Sequence, residues 1–320
     1  MTRRVRVAVM AVATASVVAS GGPSAQEPLR ARLIGQWRLV STEQVREGEP
    51  PSLGAATLGL ITYTADGHML AQLAPATRPK VRAADATPDQ VKELLRSHTS
   101  YFGTFTVDEG TRTVTHHRDG SQVPGERDFV RTIELAGTRL TLTTPTVVVD
   151  GKKRFSRINW ERVTTAPAQP PYVADARQAV AGTWELVEHK TTLAGGDVRR
   201  AFGANPKGLF IFGLDGYTTV QIVNPERPST PLDQASDDDA RALARTYLAY
   251  FGTYDVDVAT RKIVVHTTSD LNPMNTGTDQ VRFYEIDGDM MYLQPPPSAA
   301  GGQQSRITWR RVKSAPSQAR

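Results

Sequence analysis

Cysteine is absent from all 320 residues, which excludes disulfides, thiolate metal sites and thiol catalysis together. It also excludes an acylated lipoprotein anchor. Domains of ordinary size can bury enough apolar surface to fold without disulfides, even when exported. Long apolar runs are equally scarce. The stretch from Val7 to Ser20 is too short to span a bilayer as a helix, and no later run approaches that length. Excess charge is small: Lys+Arg minus Asp+Glu is 38 − 33 = +5. No cluster of Lys and Arg interleaves with aromatics, so nucleic-acid binding has no support. Serine-nucleophile motifs, P-loops and dinucleotide fingerprints are missing. The Gly195-Gly196 and Gly301-Gly302 pairs lack the strand-to-helix setting of a phosphate loop. No His/Asp/Glu set has metal-ligand spacing, and no cofactor is implied.

What is present begins with a basic segment, Thr2-Arg3-Arg4-Val5-Arg6, followed by the short apolar stretch and small residues. Residues 1–25 read as a secretory signal, with Ser24-Ala25 or Ser20 before the cleavage point. The Arg3-Arg4 pair hints at twin-arginine export, but Arg6 interrupts the apolar stretch that should follow, which favours ordinary secretion. The expected location is periplasmic or secreted. Cleavage removes three arginines and no acids, leaving a charge of +2.

The rest of the chain is a duplication. Gly35-Gln36-Trp37-Arg38-Leu39-Val40 returns as Gly182-Thr183-Trp184-Glu185-Leu186-Val187. Tyr101-Phe102-Gly103-Thr104-Phe105 returns as Tyr250-Phe251-Gly252-Thr253-Tyr254. From Gly54 to His117 the offset stays at 149 residues. The repeat has the size of a whole domain, so two domains are expected, at 33–163 and 180–312. A proline-rich linker at 164–178 joins them.

Strand signals dominate each copy. Five Asp-Gly dipeptides separate short β-rich runs, the strongest local hairpin signal. Copy one yields runs near 36–43, 58–64, 68–74, 101–107, 112–118, 128–135, 139–144 and 154–163. This order predicts an all-β fold of two tandem antiparallel up-and-down barrels, each with one inserted helix. Thr87-Pro88-Asp89-Gln90 opens the first helix with an N-cap, a proline at N1 and a glutamine at N3. Ser236-Asp237-Asp238-Asp239 opens the second, with Leu243, Tyr247 and Leu248 as its apolar stripe. Both helices read as lids or plugs on their barrels. Closure would make the first and last strands neighbours. Trp37 and Trp160 would then meet at one floor and Trp184 and Trp309 at the other, with an arginine over an indole.

Both copies resemble the bacterial and fungal lipocalin-like domain family. The residues that carry this are Gly-x-Trp on the first strand with an arginine near the last, Thr-Ala-Asp-Gly-His-Met-Leu-Ala-Gln-Leu (64–73), Tyr-Phe-Gly-Thr-Phe-Thr-Val-Asp (101–108), Thr-Val-Thr-His-His (113–117) and Ile-Asn-Trp-Glu-Arg-Val (158–163). Copy two keeps the family's loop in Phe202-Gly203-Ala204-Asn205-Pro206-Lys207-Gly208, which has degenerated in copy one. The resemblance implies a small calycin-type barrel with an internal cavity. It implies no single reaction.

Alternation along the strands selects candidate ligand-binding residues. Tyr101 and Phe105, matched by Tyr250 and Tyr254, share a face with a glycine that leaves room. Arg131 and Arg282 align with apolar neighbours and could hold a carboxylate or enolate inside the barrel. Gln72 and Gln221 match between copies, as do His117 and His266, the best general-base candidates. His116 becomes Val265 in copy two. Glu134 and Glu285 fall on the solvent side. The leading expectation is an exported protein carrying a small hydrophobic or amphipathic molecule in each barrel. An isomerase or cyclase acting on a carbonyl-containing, polyketide-like substrate is the second. A structural or partner-binding module with filled barrels is the third.

Overall fold

The computed structural model describes residues 27–82, 85–297 and 303–313; the expected signal at 1–25 lies outside them. In copy one the strands are β1 (Gly35–Arg46), β2 (Ser52–Leu53), β3 (Leu58–Tyr63), β4 (His68–Ala74), β5 (Thr99–Asp108), β6 (Thr113–Ser121), β7 (Asp128–Ala136), β8 (Arg139–Thr143), β9 (Val147–Val149) and β10 (Lys152–Arg162). Copy two has β11 (Gly182–Thr192), β12 (Val198–Arg199), β13 (Lys207–Phe212), β14 (Tyr217–Val223), β15 (Tyr247–Asp257), β16 (Lys262–Asp270), β17 (Asp279–Asp287), β18 (Met290–Gln294) and β19 (Gln304–Arg311). All pairing is antiparallel between consecutive barrel strands. First and last strands close each circle, β1 on β10 and β11 on β19. Two closed eight-stranded barrels in tandem result, with β2, β9 and β12 as short outliers.

Each floor is built alike. Trp37 is fully buried, donates its indole N–H to the Leu33 carbonyl at 2.9 Å, and carries the Arg162 guanidinium 4.1 Å from its ring. Trp184 repeats this with the Val180 carbonyl at 2.9 Å and Arg311 at 4.0 Å. Trp160 and Trp309 lie in the same buried clusters as Trp37 and Trp184 respectively. The cation over an indole therefore also seals each barrel end, since Arg162 reaches the Ile34 carbonyl at 2.7 Å.

The helices are α1 (Leu29–Leu33), α2 (Pro88–Arg96) and α3 (Asp237–Arg245). Thr87 and Gln90 form the expected capping box of α2. Tyr247 and Leu248, expected on the second helix, belong instead to β15. There Tyr247 pairs with Val223, and sheet pairing outweighs a helical continuation past Thr246. The helices pack on each other. Val91 and Leu95 of α2 meet Ala240 and Leu243 of α3, and Lys92 Nζ reaches Asp237 at 2.9 Å.

The barrels also meet along their outer walls. Leu70 and Phe102 of barrel one join Leu209, Ile211, Val223, Tyr247, Ala249 and Leu271 of barrel two in one buried cluster. The contacts are reciprocal, as in a two-fold interface. Gln36 bonds Asp215 at 2.9 Å, and its counterpart Thr183 bonds Asp66. Arg78 donates to the Leu271 carbonyl at 3.3 Å, and its counterpart Arg227 donates to the Gln122 carbonyl.

The linker is held on barrel two. Arg177 is buried and bonds the Tyr254 carbonyl at 3.1 Å, the Ala166 carbonyl at 2.6 Å and Asp255 at 3.3 Å.

Candidate functional site

The site grows from register at the end of barrel two opposite its tryptophans. Tyr250 pairs with Asp270 beyond a bulge, so both point inward, with Leu248 two residues before Tyr250. From β17, Gln280 and Arg282 face the same way, paired with Val265 and Ile263. With Phe202, these side chains bound a cavity of about 220 Å³. Its wall is completed by Leu94 and Leu95 from α2, a helix of the other copy. The cavity is therefore shared between the two barrels.

Its polar groups are positioned by their neighbours. Arg282 donates from Nη1 to the Val281 carbonyl at 2.7 Å and from Nη2 to Gln280 Oε1 at 3.3 Å. Asp270 accepts from the Asn272 backbone N–H at 2.8 Å and from Asn275 Nδ2 at 2.9 Å. Burial raises its carboxyl from the ordinary 3.8 to about 6, against the pull of those hydrogen bonds and of Arg78 and Arg282. Burial likewise raises the Tyr250 phenol, partly offset by Arg282. A protonatable acid, a guanidinium and a phenol thus face one small space.

Barrel one fills the corresponding interior differently. His116 is fully buried between two phenols, with Tyr63 at 2.7 Å from Nε2 and Tyr101 at 3.0 Å from Nδ1. Burial, helped by the Arg131 and His117 charges, lowers this imidazole to about 3. It is neutral, so one ring nitrogen donates and the other accepts, and neither is free for a substrate. Phe129 lies beside Tyr101, with the Arg118 and Arg131 guanidinium carbons 4.0 and 4.9 Å from its ring centroid. In barrel two Phe212 and Val265 replace Tyr63 and His116, which removes the triad.

Of the residues singled out by sequence, Tyr101, Phe105, Arg131, Tyr250, Tyr254 and Arg282 point inward. Phe105 packs against Tyr63 at 4.9 Å between centroids, and the Tyr254 hydroxyl donates to the Gly213 carbonyl at 2.9 Å. Glu134 is exposed, as alternation requires. The matched histidines are placed elsewhere. His117 sits outside barrel one, bonded to Asp128 at 3.0 Å and Thr106 at 3.0 Å. His266 sits outside barrel two, bonded to Asp279 at 2.8 Å and to Asp255, the partner of Arg177, at 3.3 Å. The expected arginine–histidine pair for polarising a carbonyl is therefore not assembled. Gln72 and Gln221 also face outward and are wholly buried between the barrels. Both faces of β4 and β14 are covered, one by the barrel and one by its neighbour. The sequence alone does not mark His116, Arg118, Asp270, Leu94 or Leu95 as ligand-binding residues.

Residues 34–163 and 181–312 match the family described as "Lipocalin-like domain". The chain belongs to the lipocalin-like domain family. Each lipocalin-like domain is one of the barrels, and such a barrel is a ligand-binding type of domain. Among solved structures, a protein of unknown function from the DUF3598 family of Nostoc punctiforme is 10% identical. That match covers 88% of this chain and 97% of the other, with a TM-score of 0.24. A mutant of the vaccine antigen transferrin binding protein B from Haemophilus parasuis is 9% identical, covering 86% and 77%, with a TM-score of 0.15. At these TM-scores neither informs the arrangement or the ligand. No curated protein matches the sequence. Among the described residues, no helix is long and apolar enough to cross a membrane.

Proposed function

We propose that this lipocalin-like protein binds a small, uncharged amphipathic molecule at the mouth of barrel two, and that residues 1–25 direct its export. The observation that carries the binding reading is the shared cavity, in which Tyr247, Tyr250, Asp270, Asn272, Asn275, Gln280 and Arg282 join apolar side chains on one wall. Size limits the ligand. A cavity of ~150 Å³ holds benzene, and drug-sized sites run to roughly 300–1,000 Å³. About 220 Å³ accommodates one ring with a polar substituent, and neither a long acyl chain nor a fused polyketide. Charge limits it further. Asp270 and Arg282 offset one another across the same space, which favours a neutral molecule that can both donate and accept hydrogen bonds.

Thermal-shift measurements with 4-methylphenol and with palmitate separate the size classes. Stabilisation by 4-methylphenol, reduced in Arg282→Gln, is expected. Stabilisation by palmitate alone would contradict the reading. Sequencing the N-terminus of the protein recovered outside the cytoplasm tests export, with a start near Gln26 expected.

A further inference from the structure

The two arginines that tie the barrels together are neutralised differently. Arg78 donates to the Leu271 and Asp270 carbonyls, and the Asp270 carboxyl lies close enough to act on its charge. Arg227, its counterpart, donates to the Gln122 carbonyl and lies 5.3 Å over the Tyr247 ring. The position equivalent to Asp270 is Ser121, so no acid answers Arg227. Its Nη1 is buried without a partner, and burial lowers its guanidinium to about 10.

A second cation lines the same groove. Arg118, where barrel two has Thr267, stacks on Phe129 and donates from Nη1 to Ser121 Oγ at 3.2 Å. Its Nε is also buried without a partner. Arg118 and Arg227 border a groove of about 280 Å³ between the barrels. Its apolar walls are Val123, Pro124, Val223, Pro225 and Pro228. Asp119 and Glu126 are exposed; Glu126 acts on the Arg118 charge from a distance, and among the described residues neither acid forms an ion pair with Arg118 or Arg227. Burying a cation without a counter-charge is costly. Arg227, which no acid answers, and the half-buried Arg118 on an apolar-walled groove match an anion with an apolar body.

We propose that this groove binds a small organic carboxylate between Arg118 and Arg227. Guanidinium forks suit carboxylate geometry, and the proline and valine walls suit the carbon skeleton. The groove shares no lining residue with the cavity of barrel two, so the two sites stand or fall separately.

The test titrates the full chain with benzoate, benzyl alcohol and inorganic phosphate by calorimetry. Hydrogen exchange over 118–127 and 223–229 locates the binding. Benzoate is expected to protect both segments, whereas benzyl alcohol and phosphate leave them unprotected. Ser121→Asp installs the acid that barrel two already carries at this position. That variant and Arg118→Gln, both checked for a native spectrum, are expected to weaken benzoate about tenfold or more. Several results would overturn the proposal: no protection by millimolar benzoate, equal protection by benzyl alcohol, displacement of benzoate by phosphate, or unchanged affinity in both variants.

Discussion

Gln72 and Gln221 each donate to the carbonyl one residue before the other. Gln72 Nε2 reaches the Val220 carbonyl at 3.4 Å, and Gln221 Nε2 reaches the Ala71 carbonyl at 3.0 Å. Gln72 Nε2 also meets the Tyr250 carbonyl and Thr219 Oγ1, both at 2.8 Å. A duplicated chain has thus folded as a two-fold pair with itself, and a set of buried hydrogen bonds lies at the seam.

Gln221→Leu tests the seam. It removes the donor to Ala71 and the acceptor of the Tyr247 hydroxyl, both in a buried setting. A loss of ~1–3 kcal/mol in urea unfolding is expected, the usual cost of stranding buried polar groups. A neutral result would place the seam's stability in its apolar cluster alone.

Trp37→Ala tests the floor. The indole is wholly buried and covered by Arg162. Removing it is expected to cost ~3–5 kcal/mol in the transition that involves barrel one. A cost below about 1 kcal/mol would contradict the floor assignment.

His116 makes barrel one acid-sensitive. Its folded value of about 3 lies below the ordinary 6.5, so the folded chain resists a proton that the unfolded chain accepts. Stability from this group is complete above about pH 6.5 and is lost as pH falls towards about 3. His116→Val, the residue barrel two carries, strands two phenols and is expected to cost ~1–3 kcal/mol near neutrality. The gap to the parent should narrow in acid. A gap that stays constant from about pH 7 to about pH 4.5 would refute this role.

Asp270 acts in the opposite direction. Its folded value of about 6 lies above 3.8, so its contribution is complete below about pH 3.8 and is lost as pH rises through about 6. Asp270→Asn is expected to gain in Tm relative to the parent across that interval. A difference between the two that does not vary with pH would contradict it.

Much of the fold is legible in the sequence because alternation and Asp-Gly turns are local. Parity alone places Tyr101, Phe105, Arg131 and their counterparts inward. The histidines are not legible in the same way. Both copies keep His117, yet Val114 and His116 share the apolar parity of β6 and mark the inward face. For the glutamines the missed signal was continuity. Leu70, Gln72 and Ala74 are as buried as Met69 and Ala71, so β4 is covered on both faces, as strands buried on both sides usually read. The cavity itself was not legible. It joins residues of β15 and β17 to a helix some 150 residues earlier, and no local pattern reports that meeting.

The shared cavity is the centre of the functional proposal, and Leu94→Trp tests it most directly. Leu94 belongs to barrel one but lines the cavity of barrel two. Calorimetric titration of 4-methylphenol should show binding to the parent and none to this variant, with the fold intact by circular dichroism. Equal affinity in both proteins would contradict a site shared between the barrels.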